Sequence, residues 1–298
     1  MTMDDSQPPA NKKQKTGGEH LPQIVSVSSF DIDCASSCQS SSTLPSLHTE
    51  SGCVSEHVVC PEESPPHDED SKTAMATSQS DQTLTDVPTH LRTLATTTSQ
   101  EEALQAMKTL YTCLGSDAHK ATGVAQQITS DLWFSSIIGC LARYERSEEF
   151  SLLVITFLAT LLFYEPKTSG VLVDLRAIDT ILHTAMTHPG SELMSVNAVG
   201  LVSNLACEAG EVRASVSHPK HIAFMADNMK WKPYNESIQS AGCIYFKHVT
   251  EGAQGTPKSL LEENDVVMSL GIAMKTFRCS NEYMYACAKE VVKHIVSQ

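Results

Sequence analysis

Between residues 192 and 206 the apolar side chains Leu193, Val196, Val199, Leu201, Val202 and Leu205 keep to the three-and-four spacing of one broad helical face. Ser191 stands at the N-cap position of this predicted helix, and Glu192 follows where a carboxylate meets the positive end of the helix dipole. Pro189-Gly190 breaks the segment before it, because proline offers no N–H and glycine tolerates reversing dihedrals. The same order of break, cap, acid and apolar face returns with Pro233, Asn235 and Glu236. It returns again with Ser280, Asn281 and Glu282.

The segments ahead of these helices also match one another. They align on Leu141, Met186, Met229 and Met274, which lie 43 to 45 residues apart. Small or apolar pivots follow at Val154, Ala198 and Ala241, with a further match near Ala286 and a degenerate one at Met107. A shorter segment precedes each unit and brings in Trp133, Ile178, Ile222 and Val266. Helical pieces repeating at a fixed period of 43–46 residues predict an all-α solenoid of about four repeats. Ser99 and Glu102 fit a capping box that opens a helix carrying Leu104, Met107, Leu110 and Leu114. Asp86 and Pro88 are expected to start a helix through Leu91 and Leu94 that covers the first repeat. The segment 282–296, ending in Lys293-His294, suits a terminal capping helix with one wet face.

Taken together, these residues resemble the armadillo-type repeat over residues 87–298, with the related HEAT repeat as the structural competitor. The resemblance rests on the pattern Ala198, Leu201, Asn204-Leu205 in a third helix. It also rests on the entries to second helices at Ala177-Ile178, Ile222 and Val266. It implies a right-handed array whose third helices line a concave groove, where a ladder of asparagines holds extended peptides. Asn204 matches the ladder, while the positions counted as equivalent are Cys113, Thr160 and Lys247, so the ladder is nearly absent. The tryptophan that importin-α-type receptors carry four residues earlier is replaced by Gly200 and Cys243. The likeness is to the fold and not to that recognition pattern.

Charge divides the chain. Up to residue 98 there are 14 acidic against 5 basic residues, and beyond it 21 against 16. This acidic balance argues against nonspecific nucleic-acid binding, which needs a basic field. Residues 1–85, rich in Ser, Thr, Pro, Gln and acid, read as a disordered tail ahead of a repeat domain at 86–298. The tail holds Lys12, Lys13 and Lys15, which resemble a short nuclear import signal. It also holds an incomplete metal-ligand set at Cys34, Cys38, Cys53, His57 and Cys60, a β-prone run at Ile24–Val27, and a Ser64-Pro65 phosphorylation candidate.

Six further cysteines (Cys113, Cys140, Cys207, Cys243, Cys279 and Cys287) fall on apolar helical faces and read as free thiols in a reduced compartment, cytoplasm or nucleus. No secretory signal is visible in residues 1–20. Ser151–Tyr164 is apolar all round but shorter than the about 20 residues a bilayer requires, so it predicts a buried helix.

No phosphate-binding glycine loop occurs, and His183, His188, His218, His221 and His248 pair with no nucleophile, so no enzyme, cofactor or metal is expected. The expected function is a noncatalytic protein-binding scaffold, with a co-chaperone or assembly factor as the alternative. The candidate partner-binding residues are Asn204, Lys247, Thr160, Glu208 and Glu251. The two glutamates, with Asp117, mark an acidic ridge near helix C-termini for a basic partner segment.

Overall fold

The computed structural model describes residues 77–115, 118–129, 131–251 and 256–297. All of them lie in the unit Pro65–Gln298. The tail features around Lys12, Lys13, Lys15, Cys34, Cys60, Ile24–Val27 and Ser64 lie outside the described residues, as does Asp117. Fourteen helices follow one another among the described residues, and no strand occurs there. An initial pair, α1 (Thr77–Thr96) and α2 (Gln100–Gly115), precedes four three-helix units. These are α3 (Ala118–Ile128), α4 (Asp131–Arg143) and α5 (Glu148–Tyr164); then α6 (Thr168–Asp174), α7 (Ala177–Thr187) and α8 (Glu192–Cys207). The third unit is α9 (Glu211–Val216), α10 (Pro219–Trp231) and α11 (Glu236–Glu251), and the fourth is α12 (Lys258–Glu263), α13 (Val266–Phe277) and α14 (Glu282–Ser297).

The helices stand in two rows. The third helices α2, α5, α8, α11 and α14 pack side by side in chain order. In the row of second helices α1 packs on α4, α4 on α7 and α10 on α13, but α7 and α10 lack that close packing. One continuous core lies between the rows, running from Val87 to Ile295. The apolar α5 is mid-row between α2 and α8, with Phe150, Val154, Phe157 and Leu161 fully buried, but it is not buried all round, since Phe163 near its end is 70 % exposed. Among the described residues no helix is long and apolar enough to cross a membrane.

The caps are real but not uniform. Asn235 and Asn281 each accept a hydrogen bond at Oδ1 from the backbone N–H three residues on, both at 2.9 Å. Ser147 accepts likewise from Phe150 N–H. Ser191 takes the extended N-cap conformation, yet its side chain caps nothing. Residues flanking the caps also join successive repeats. Gln100 donates to Ser147 Oγ, Asn235 to Glu192 Oε1 and Asn281 to Glu236 Oε1.

Three expectations need correction. Pro88 lies inside α1, because Val87, Leu91 and Leu94 are needed in the core and helical packing carries the chain through the proline. The capping box at α2 is half kept: Ser99 Oγ accepts from Glu102 N–H at 3.4 Å as expected, but the Glu102 carboxylate accepts from the Thr97 hydroxyl at 2.6 Å, and Ser99 N–H donates to that same hydroxyl. Cys279 is exposed in the turn before α14, so five of the six cysteines, not all, sit on packed faces.

Candidate functional site

Counting from the N-caps Ser147, Ser191, Asn235 and Asn281 sets the register of the third helices. The seventh residue on is then Val154, Ala198, Gly242 and Ala288, and all four are buried. Ala241 and Ala286, the expected pivots, are half-buried and exposed, respectively. The reason is steric: a Cβ on Gly242 would overlap the buried Met229 of α10, so any side chain there has to displace that methionine. The same register pairs Asn204 with Thr160 and His248, and places Lys247 one residue short. In α2 it picks the exposed Thr112 rather than the buried Cys113. Lys247 and Cys113 are therefore withdrawn as equivalents of Asn204.

The five candidate residues differ in what they touch. The Asn204 amide is half-exposed and makes no hydrogen bond among the described residues. Thr160 donates to Thr156 O at 2.8 Å and also meets the Tyr111 hydroxyl. Burial raises the Tyr111 phenol, with the Thr160 contact opposing. Lys247 pairs with Glu290 at 3.3 Å and Glu251 at 3.9 Å. Burial alone would lower its ammonium, but the bond to Glu290 and the surrounding negative charge outweigh it and raise it. Glu251 thus shares the Lys247 charge with the closer Glu290.

Glu208 is the C-cap of α8, one step beyond the helix, whereas Glu251 is the last residue inside α11. The expected conflict between Glu208 and the helix dipole is answered by Arg213. Its Nε donates to Ala206 O and Glu208 O, both at 2.9 Å, and one terminal nitrogen to Cys207 O at 3.3 Å. This places a cation on the carbonyl end of α8, beside His248. Burial lowers the His248 imidazole, and Arg213 and Lys247 lower it further. The middle of the third-helix row thus presents an unpaired amide, a neutral imidazole and the carboxylate of Glu208, which forms no ion pair among the described residues.

Of the histidines named from the sequence, His221 is buried, only 3 % exposed. Its Nε2–H donates to Asp179 Oδ1 at 3.0 Å, tying α10 to α7, and Lys220 joins the same carboxylate. Burial lowers the His221 imidazole despite Asp179. Burial alone would raise Asp179, but hydrogen bonds from Lys220 and His221 hold it below the usual carboxylate range. Because the folded His221 resists protonation, the unfolded chain takes up its proton first as pH falls. Stability is complete above the ordinary imidazole value and is lost as pH drops from about 7 toward about 5. Asp179 adds a loss only below about pH 4, as its lowered carboxyl finally protonates. Thermal melts across this range should show the upper decline, and His221→Gln should reduce it to the share carried by the similarly lowered His248, leaving the acid-limb loss in place. A decline unchanged in the variant would assign it to other groups.

Among the described residues, no group of three or more His, Cys, Asp or Glu is placed to hold a metal ion. No family model matches the sequence. No curated protein matches it either. Solved structures do. A designed armadillo repeat protein in complex with the peptide (KR)4 is similar at a TM-score of 0.57 with 14% identity, over 74% of this chain and 87% of that one. Computationally designed armadillo repeat proteins for modular peptide recognition give 0.57 with 13% identity, over 73% of this chain and 86% of theirs. With the two helical rows and the caps described above, these likenesses show that the chain has an armadillo-like repeat fold.

Proposed function

We propose that this chain is a noncatalytic scaffold that holds an extended segment of a partner protein along its row of third helices. The observation that carries the reading is Asn204. An amide has two donors and an acceptor, and in the middle of a packed row this one is left without a partner, available to the backbone of a bound strand. The designed neighbours, one bound to (KR)4 and others made for peptide recognition, support a peptide as occupant. Glu208, beside Asn204 on the next turn and with no ion pair of its own, favours a basic segment. Fluorescence anisotropy with a labelled (KR)4 peptide at low salt tests this on the full chain. Asn204→Ala should weaken binding about fivefold or more, since an unmade hydrogen bond in such a site is worth roughly 1 kcal/mol. Glu208→Gln should reduce the salt dependence. Equal affinity in both variants and the parent chain would sink the proposal.

A further inference from the structure

The row of second helices is open at one junction. At the α1–α4 and α4–α7 junctions its turns are closed by side chains reaching back: Arg143 donates to Thr97 O at 2.6 Å, and Thr187 and His188 both meet Glu145 O. Between α7 and α10 the equivalent residue, Trp231, makes no such bond among the described residues and is 81 % exposed. The two helices are tied near their N-terminal ends by His221 and Asp179 and otherwise lack close packing. The gap is a groove of about 460 Å³ with Met186, Pro189, Phe224 and Trp231 as apolar walls. Met186 is 57 % exposed, because Ala185 fills the core position of that turn.

Polar chemistry in the groove is concentrated on Lys232. Its ammonium donates to Ser195 Oγ at 2.8 Å and Asn228 Oδ1 at 3.3 Å, and it forms no ion pair among the described residues. Burial lowers it, and Glu192 acts on it only from a distance. The carbonyl end of α10 offsets part of its charge. The other charged residue on the wall, Asp227, shares Lys230, at 3.5 Å, with Asp265, which that lysine meets more closely at 3.1 Å. A cation without a counter-ion beside an exposed tryptophan calls for a ligand that brings both a carboxylate and apolar surface.

We propose that the groove between α7 and α10 docks a short segment of a partner protein in which an apolar side chain stands next to an aspartate or glutamate. The apolar side chain packs between Met186 and Trp231, and the carboxylate accepts from Lys232 Nζ. Tryptophan is the residue type most able to anchor such a contact. The site lies on the second-helix row and is separate from Asn204, so it stands or falls apart from the third-helix reading.

The test selects short random peptides on the full chain by display, then titrates the consensus peptide by anisotropy. Selected peptides should carry Asp or Glu beside an apolar residue. Trp231→Ala and Lys232→Met should each weaken binding about tenfold or more, as anchor truncations do. Asn204→Ala should leave it unchanged. Circular dichroism and the melting temperature confirm that the variants fold; Trp231 is exposed, so its variant decides alone if Lys232→Met does not. Peptides without acidic enrichment, binding that survives Trp231→Ala, or competition by an acidic lipid vesicle in place of peptide selection would overturn the proposal. So would a dimer in sedimentation that Trp231→Ala dissolves, because the groove would then belong to a second copy.

Discussion

Tyr245→Ala should lower the free energy of unfolding by about 3–5 kcal/mol, the range for removing a large aromatic from a core that cannot collapse around the void. Tyr245 is fully buried in α11, with its ring edge-on to Phe246 at 5.1 Å. Its hydroxyl donates to Val216 O at 2.7 Å, closing the carbonyl end of α9. Burial without a compensating cation raises its phenol. Tyr245→Phe separates the two contributions: the ring stays, the Val216 carbonyl loses its donor, and the loss should be about 1–3 kcal/mol. Urea unfolding followed by circular dichroism measures both. Because each repeat is held only by its neighbours, the alanine variant should also release the units after α11 ahead of the rest. A loss below about 1 kcal/mol for Tyr245→Ala would mean that the α9–α11 contact is not part of the cooperative core.

Gly242→Leu should be destabilising by about 2–4 kcal/mol, although leucine is the better helix former by roughly 1 kcal/mol. A Cβ at this position already overlaps Met229 Sδ and lies 2.8 Å from Met229 Cγ, and Met229 is itself fully buried. Alanine meets only the flexible end of Met229, so its gain in propensity and its crowding nearly cancel. Leucine adds branches that Met229 has no room to escape, and α10 must shift from α11. The paired substitution Gly242→Leu with Met229→Ala should recover most of the loss, which a double-mutant cycle by urea unfolding would read directly. Additive losses would show that the two positions do not share one space.

Much of the architecture was legible in advance because its causes are local. The order of break, cap, acid and apolar face around Ser191, Asn235 and Asn281 needs only backbone chemistry and helical periodicity. Those features placed the starts of α8, α11 and α14 correctly. The site was less legible. Lys247 stands one residue short of Asn204 because alignment on methionines drifts: Met186 points outward where Ala185 is buried, while Met229 is core. Nothing within one helix distinguishes those two residues. Pro88 misled for a similar reason, since the local penalty of a proline was outweighed by the burial of Val87, Leu91 and Leu94 against distant helices.

The sequence by itself determined that the chain is a string of amphipathic helices with a period near 44 residues, because caps, breakers and apolar spacing act over a few residues. Only the tertiary structure decided which polar groups find partners. Arg213 was free to be any surface cation until the carbonyls of α8 lay beside it, and His221 was one histidine of twelve until Asp179, 42 residues earlier, fixed it. By the same packing, among the described residues, Asn204 was left without a hydrogen bond, Lys232 without a counter-ion and Trp231 exposed. Pairing across repeats depends on where helices end up in space, and that is set by the volume of residues such as Gly242 and Met229 rather than by any pattern along the chain.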